Sequence, residues 1–349
     1  MIELQISPVY LSFLDMNFRL LEIDTSSTQE DAVLTLLKAI PGVDVWQQSG
    51  EGPACLRVTV PLSQVEQVLS RLQTDLAMVD HPKVLILPME AIWPVPDLDS
   101  SYNPASARLS REEIYTKVAQ QVQWTWTQIS MVVLSTLIVA IGLLKGSEAI
   151  LIGAMVLAPL LQPILGLAVA AVLGDTALAQ RSVKMGTINM GLALGLSILL
   201  GIGLPISTDL PALMARVDVE PMDIGLAIAA GIASALSLTS DNQNAIVGVM
   251  VAVALLPPLV VLGLLLGAGE WAFAQGALLL VVTNIIGLNL AATATLLVQN
   301  LEPPLQGQQW QAQHYTQWVM GIGVILVLGI MGVVTWRHSD LWRTFAQAI

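Results

Sequence analysis

Apolar and polar positions divide the chain into two kinds of sequence. Up to about residue 109, apolar residues alternate or recur at helical spacing among scattered charges. Beyond Lys117 the charges withdraw into narrow clusters. The charge-free stretches are 118–144, 149–174, 185–208, 224–240, 242–269, 271–301 and 303–336, none shorter than 17 residues. About 20 residues at 1.5 Å rise cross a hydrocarbon core, so these stretches predict about seven transmembrane helices. Trp126 to Lys145 and Trp318 to Trp336 each measure roughly 27–29 Å between interfacial anchors, the thickness of such a core. The fourth stretch, Ile224 to Ser240, is short and rich in Gly, Ala and Ser. It is read as a full span, with a half-inserted segment as the alternative.

The N-terminal part predicts strands and helices in the order βαββαβ. Phe18 to Asp24 is strand-like, and Ser27-Thr-Gln-Glu30 is a capping box opening a helix with Ala32, Val33, Leu36, Leu37 and Ile40 on one face. Pro41-Gly42 stops it. Val43 to Gln48 is a second strand. In the third, Ala54, Leu56, Val58 and Val60 point one way and Cys55, Arg57 and Thr59 the other. Ser63-Gln-Val-Glu66 is a capping box leading a helix with Val65, Val68, Leu69 and Leu72 inward, and Val84 to Leu87 is the last strand. That order is the plan of a ferredoxin-like α+β sandwich. The domains expected are a soluble ferredoxin-like domain at 1–93, a linker at 94–109 marked by Pro94, Pro96 and Pro104, and a transmembrane domain at 110–349. A third capping box, Ser110-Arg-Glu-Glu113, starts the helix expected to run into the membrane past Trp124 and Trp126.

Composition agrees with a membrane bundle carrying a soluble head. Of 349 residues, 55% are hydrophobic and only 11% charged, with a mean hydropathy of +0.72, more apolar surface than a soluble fold can hide. The net charge of −12 lacks the basic footprint of nucleic-acid binding, so no nucleic-acid partner is expected. A lone cysteine, Cys55, cannot close an intrachain disulfide, and Met1 to Asn17 shows no export signal.

Within the apolar region the sequence repeats. At a shift of 95, Gly153 falls on Gly248, Met155 on Met250, Pro163 on Pro258, Gly174 on Gly269 and Asp175 on Glu270. With one inserted residue Thr187 meets Thr283. This predicts an inverted repeat of three helices, repeat 1 at about 118–208 and repeat 2 at about 224–301, with an extra span at about 317–336. Chance matching among Gly-, Ala- and Leu-rich helices is the alternative. Ala158-Pro-Leu-Leu-Gln-Pro163 is expected to interrupt the second span and Leu256-Pro-Pro258 the fifth, because proline deletes a backbone donor and clashes with the carbonyl four residues earlier. The freed carbonyls need cover from protein or water. Packed kinks and a binding site are both open readings. If a site, the solute or ion path would comprise Pro159, Gln162, Pro163, Asn189, Pro257, Pro258 and Asn284, with Thr187, Thr283 and Asn289 nearby. Half-helix ends there carry about half a unit of charge and can bind an ion without a charged side chain.

Other features have plainer readings. Single Asn and Thr residues in spans join helices, and Gly191-x-x-x-Gly195 and the run Gly225, Ala229, Ala233 read as close helix packing. Ser240-Asp-Asn-Gln-Asn244 reads as a solvated turn, or else as an ion ligand set. His81, His314 and His338 are too scattered for a metal cluster, no Gly-x-Ser-x-Gly elbow exists, and no carboxylate lies inside a span. Neither catalysis nor a cofactor is expected.

The run Ile152-Gly-Ala-Met-Val-Leu-Ala-Pro-Leu-Leu-Gln-Pro-Ile-Leu-Gly166 resembles the signature of the domain-of-unknown-function family 389, the uncharacterised hydrophobic domain proteins of bacteria and archaea. So do Val251-Ala-Val-Ala-Leu-Leu-Pro-Pro-Leu-Val260 and Ser110-Arg-Glu-Glu-Ile-Tyr115, and with the head the resemblance covers about residues 18–300. It implies no settled activity, and the polar run Ser240 to Asn244 departs from the pattern.

Two functional classes follow. The first is a transporter or channel for a small solute or ion, with a regulatory head that could itself take a small-molecule ligand. The second is a non-transporting, oligomeric membrane scaffold or sensor. Arg108, Arg111, Lys117, Arg181 and Lys184 fall on the head's side of seven spans, against Lys145, Arg216, Arg337 and Arg343. The positive-inside rule then predicts a multi-pass protein of the prokaryotic inner membrane with its head cytoplasmic and its C-terminus outside. The sheet edges of the head and the small residues of the spans predict a homo-oligomer in the lipid bilayer.

Overall fold

A computed structural model describes residues 18–25, 30–40, 43–47, 54–75, 83–89, 109–206, 210–240, 245–301, 316–317 and 320–332. The Ser27 end of the first capping box, Pro41-Gly42, the linker prolines, the three histidines and residues 241–244 lie outside them. The chain divides into two compact units, residues 1–114 with 239–241 and residues 115–238 with 242–349.

In the first unit, β1 (Phe18–Thr25), β2 (Asp44–Gln47), β3 (Ala54–Pro61) and β4 (Lys83–Pro88) form one sheet in the order β2-β3-β1-β4. Every neighbouring pair is antiparallel, with Leu21 opposite Val58 and Ile86. The period-2 alternation puts Leu21, Ile23, Leu56, Val58 and Val60 on one face. Val33 and Leu37 of α1 (Glu30–Lys38) and Val65, Val68 and Leu72 of α2 (Leu62–Asp75) bury with them. Ala32, expected inward, is exposed. Helix α2 starts at Leu62, directly after β3, so Ser63 lies inside its first turn and not at the cap.

Cys55 sits on the opposite face, paired in register with Asp24. Partial burial, then the carboxylates of Asp24 and Glu22, push its thiol above the ordinary cysteine range. Less thiolate is therefore present at a given pH. Alkylation by iodoacetamide is expected to be slower than that of an unperturbed thiol at neutral pH, with the rate profile displaced to higher pH. Asp24→Asn should move the profile back down, and a profile unchanged by it would contradict the assignment of cause.

Helix α3 (Arg111–Gln121) opens with the predicted capping box. Glu113 Oε2 accepts from the Ser110 amide at 3.0 Å and its hydroxyl at 2.8 Å, and Ser110 Oγ accepts from the Glu113 amide at 3.3 Å. The helix does not run on past Trp124 and Trp126. It ends at Gln121, and α4 (Trp126–Lys145) begins anew with Thr125 as N-cap, its hydroxyl accepting from Gln128 N. The Val-Gln-Trp-Thr stretch is poor in helix formers, and a threonine hydroxyl competes well for a helix start.

The second unit is helical: α5 (Glu148–Leu157), α6 (Leu161–Leu173), α7 (Thr176–Gly203), the short α8 (Pro211–Met214), α9 (Pro221–Thr239), α10 (Ala245–Ala268), α11 (Trp271–Val298) and α12 (Met320–Gly332). By length and composition α4, α7, α9 and α11 can each cross a membrane, and α5 with α6 makes a fifth if the bent pair is one span. The sequence predicts seven. Leu255–Ala268 of α10 and Met320–Gly332 are shorter apolar helices among the described residues. Several apolar helices of this kind are consistent with an integral multi-pass membrane protein.

Helix α10 lies at the centre, packed chiefly on α7 and α11, with Leu255, Leu256, Leu259, Val260, Val261, Leu264 and Leu265 all buried. A helix apolar on every side belongs inside a bundle. Helix starts recur along the chain: α4 and α9 begin 95 residues apart, at 126 and 221, and so do α7 and α11, at 176 and 271. Gly174 and Gly269, each just before the last of these pairs' caps, both take the left-handed conformation, with φ of 71° and 80°. That region costs an L side chain roughly 1–2 kcal/mol, which accounts for glycine at both places.

The glycines singled out from sequence as packing points are not where the helices touch. A Cβ at Gly191, Gly195 or Gly225 would meet nothing within 4 Å. Close approach falls instead at Gly201, Gly263 and Gly267 between α7 and α10, at Gly231 between α9 and α11, and at Gly276 against Val217. Spacing alone does not reveal which face a glycine occupies; the neighbours that bury α10 do.

Candidate functional site

The second apolar stretch breaks where its prolines predict. Helix α5 ends at Leu157, Ala158 is extended at φ −75° and ψ 117°, and α6 starts at Leu161 on an axis bent by 50°. Pro163 is the third residue of α6. The first four amides of any helix have no partner within it, so a proline there removes no helical bond. This corrects the expectation that Pro163 frees a carbonyl inside the helix. The carbonyl left over is that of Pro159, which in an unbroken helix would need an N–H from residue 163. Asn189 of α7 replaces that donor, its Nδ2 donating to Pro159 O at 3.3 Å from a side chain only 3% exposed. Asn289 of α11 donates in the same way to Ile164 O at 3.1 Å. Two side-chain amides thus bond the backbone at the break.

Asn189→Ala should leave a buried carbonyl without its donor and cost about 1–3 kcal/mol. In a Pro163→Ala background residue 163 regains an N–H four residues beyond Pro159, so the same substitution should cost less, by about 1 kcal/mol. Thermal unfolding of the four proteins of this cycle in one detergent checks it; equal costs in both backgrounds would remove the assigned role of Asn189.

Between α6, α7 and α11 lies a cavity of about 150 Å³. Leu160, Pro163 and Ile164 line it from one side, Ser182, Gly186 and Met190 of α7 from another, and Ile285 and Asn289 of α11 from a third. Helices α6 and α7 approach closely beside it: a Cβ on Gly166 would fall on Ser182 Oγ and meet Val122. Ser182 is 1% exposed, and its hydroxyl has no hydrogen-bond partner. Sequence reasoning passed over Ser182, Gly186 and Met190. Their i, i+4 spacing on one face of α7, opposite a proline-broken neighbour, is the signal that could have found them.

The remaining predicted residues lie as follows. Gln162 is half-buried in the first turn of α6, its Oε1 without a hydrogen-bond partner. Asn284 is buried on α11, 4% exposed. Pro257 and Pro258 are buried inside α10, which runs through both without interruption, so the expected break of the fifth span is absent. Packing on all sides holds the axis of α10 across the missing bonds. Neither these prolines nor Asn284 lines the cavity.

The start of α7 is fixed from outside the apolar segments. Asp175 caps it, Oδ1 accepting from Ala177 N at 2.8 Å and Leu178 N at 3.0 Å, while Oδ2 accepts from Tyr115 Oη at 2.8 Å. That last bond, with partial burial behind it, pushes the Tyr115 phenol above its ordinary range and keeps it a donor at physiological pH. No charged side chain lines the cavity, and no group of three or more potential metal ligands occurs among the described residues.

The end of α5, helices α6 to α10 and most of α11 coincide with a known sequence family. Residues 155–290 match the family described as "Domain of unknown function (DUF389)". An uncharacterised protein of Methanocaldococcus jannaschii is 31% identical over 282 residues, covering 81% of this chain and 88% of that protein. No solved structure matches the chain. With a relative 31% identical over 81% of this chain, and a family match over residues 155–290, the chain belongs to this family, the domain-of-unknown-function family 389.

Proposed function

We propose that this protein is a seven-span transporter or channel of the inner membrane that moves a small solute past the break between α5 and α6, and is not an enzyme. The observation carrying this is the break itself: an apolar stretch interrupted midway beside a cavity, its loose carbonyl bonded by an amide from α7. Irregular backbone persists in a bilayer only under cover of protein or water, and broken helices are where repeat-built transporters hold their solutes. The common shift of 95 in the starts of α4 and α9 and of α7 and α11 supports a three-helix repeat. The same shift carries Pro163 to Pro258. An odd number of spans per repeat inverts the second copy. On this reading α10 and α12 supply the remaining spans. The strand order β2-β3-β1-β4 and the two packed helices support a ferredoxin-like head, placed in the cytoplasm as a regulatory module that takes a small-molecule ligand. The whole assembles as a homo-oligomer.

The test is flux into liposomes holding the purified protein, across a panel of charged and uncharged solutes. The wild type is expected to move at least one, and the Pro163→Ala, Pro258→Ala double variant to move it abnormally. A folded double variant with unchanged flux places the path elsewhere.

A scaffold that oligomerises the head is the second reading. It is favoured by the backbone-to-backbone contact of α7 and α10 at Gly201, Gly263 and Gly267, which is dense packing without a path. A wild type that moves no solute under any gradient decides for it.

A further inference from the structure

We infer that the cavity between α6, α7 and α11 is a binding site for one small, uncharged, largely hydrocarbon molecule, and that the solute of the break is of this class and not an ion. The inference deepens the transport reading by naming its solute class. Three observations carry it. The two backbone oxygens that the asparagines reach at the break, Pro159 O and Ile164 O, already accept from Asn189 and Asn289. The accessible lining of the cavity is almost wholly carbon, and no charged side chain reaches it. The volume is about 150 Å³, room for one benzene-sized guest.

An ion entering there would shed its water shell and find no ligand set to replace it, a cost that such walls cannot offset. A small apolar molecule faces no such barrier and gains by leaving water. The rim adds a route: Val183 is 52% exposed and Thr187 is exposed beside it, so the mouth opens on the outer face of α7. A guest dissolved in the membrane can enter sideways. The same chemistry could come from a free small molecule or from the end of a lipid acyl chain, and the experiment separates the two.

The probe is a four-carbon alcohol carrying a diazirine, irradiated with the protein in nanodiscs, adducts being located by peptide mass spectrometry. Adducts are expected on α6, α7 and α11 around Pro163 and Met190, and unmodified 1-butanol should compete them away. Gly186 lines the cavity, and a Cβ there meets only Pro163 in ordinary contact. Gly186→Leu should therefore fill the space and reduce adducts by about tenfold or more, since the probe loses its apolar contacts. Gly191→Leu, where a Cβ meets nothing, is the control and should label like wild type. Should Gly186→Leu not fold, Met190→Ala enlarges the same cavity and should admit a longer alcohol that the wild type excludes. If a phospholipid with the diazirine at its acyl terminus labels these residues in place of the alcohol, the guest is a lipid tail and the site stands. Absent labelling by either probe, or labelling equal in wild type and Gly186→Leu, overturns the inference. Rubidium flux blocked by Gly186→Leu, with no alcohol adducts, overturns it while the transport reading survives. Adducts sensitive to Gly186→Leu in a protein that moves no solute leave this site standing and remove the transport reading.

Discussion

Gly267→Val is expected to abolish the native packing of α7 on α10, with loss of a monodisperse species after extraction in mild detergent. A Cβ at Gly267 would fall on the Ile198 carbonyl oxygen and press on Ile202 N and the Gly201 carbonyl carbon, all backbone atoms. At Gly201 it would fall on Leu264 O, and at Gly263 on Ser197 Cβ and Leu194 O. An overpacked side chain can usually be relieved by a neighbouring rotamer, at about 1–3 kcal/mol. At Gly267 no side chain is available to yield, so the helices themselves must separate, and the cost should reach or pass about 3 kcal/mol. Losing that contact also opens the centre of the bundle, because the same stretch of α10 buries Leu264 and Leu265. Gly191→Val and Gly195→Val add the same atoms to α7 where a Cβ meets nothing, and should leave the melting temperature within a few degrees of wild type, matching a change of about 0.5 kcal/mol. A Gly267→Val protein that melts with these two would mean that α7 and α10 do not cross at these residues.

What could be seen in advance of the structure depended on whether one residue's neighbours mattered. The strands of the head were legible because alternation over 54–60 is a local property that survives any packing. The apolar stretches were legible from charge alone, yet their internal boundaries were not. Residues 118–144 carry no charge, so nothing in that map separates α3 from α4; the separation comes from Thr125 acting as a cap. The prolines give the clearest case. Pro159 and Pro163 coincide with a 50° bend, whereas Pro257 and Pro258 leave α10 continuous. Proline removes a donor in both places, and what differs is the surroundings. At the first, Asn189 is placed to take the carbonyl, so a bent path is satisfied; at the second, burial on every side fixes the axis. The candidate site was legible to the same degree: Pro163 and Asn189 were found as polar or helix-breaking residues in apolar sequence, but Ser182, Gly186 and Met190 needed the partner helices to gain meaning.

Glu113→Ala is expected to loosen the first unit by more than any substitution on its open sheet face. Arg19, 3% exposed at the start of β1, donates through Nε to Glu113 Oε1 at 2.7 Å, and it also donates to the Phe18 carbonyl at 3.3 Å. Oε2 of the same carboxylate caps α3 through Ser110. Truncating one member of a buried pair costs about 3–5 kcal/mol, because the other charge is left in a poor solvent. Loss of the cap adds about 1 kcal/mol. Glu113→Gln keeps a capping oxygen but removes the charge that pairs with the guanidinium, so most of the loss should remain. Arg19→Met spares the cap and fills the space with apolar volume, and together with Glu113→Gln it should recover much of what Glu113→Gln loses, since buried pairs are often replaceable as a unit. Arg57 and Glu22 form the comparison: their pair, at 2.8 Å, lies on the open face with Arg57 48% exposed, and Glu22→Gln should change stability by less than about 1 kcal/mol. Hydrogen exchange in the full-length protein reads all of these. Glu113→Ala should speed exchange in β1 and in the first turns of α3 while leaving α7 and α10 protected, and raised salt should not reproduce the effect, because a pair this buried is poorly screened. Exchange in β1 unchanged by Glu113→Ala would show that the ion pair does not hold this strand.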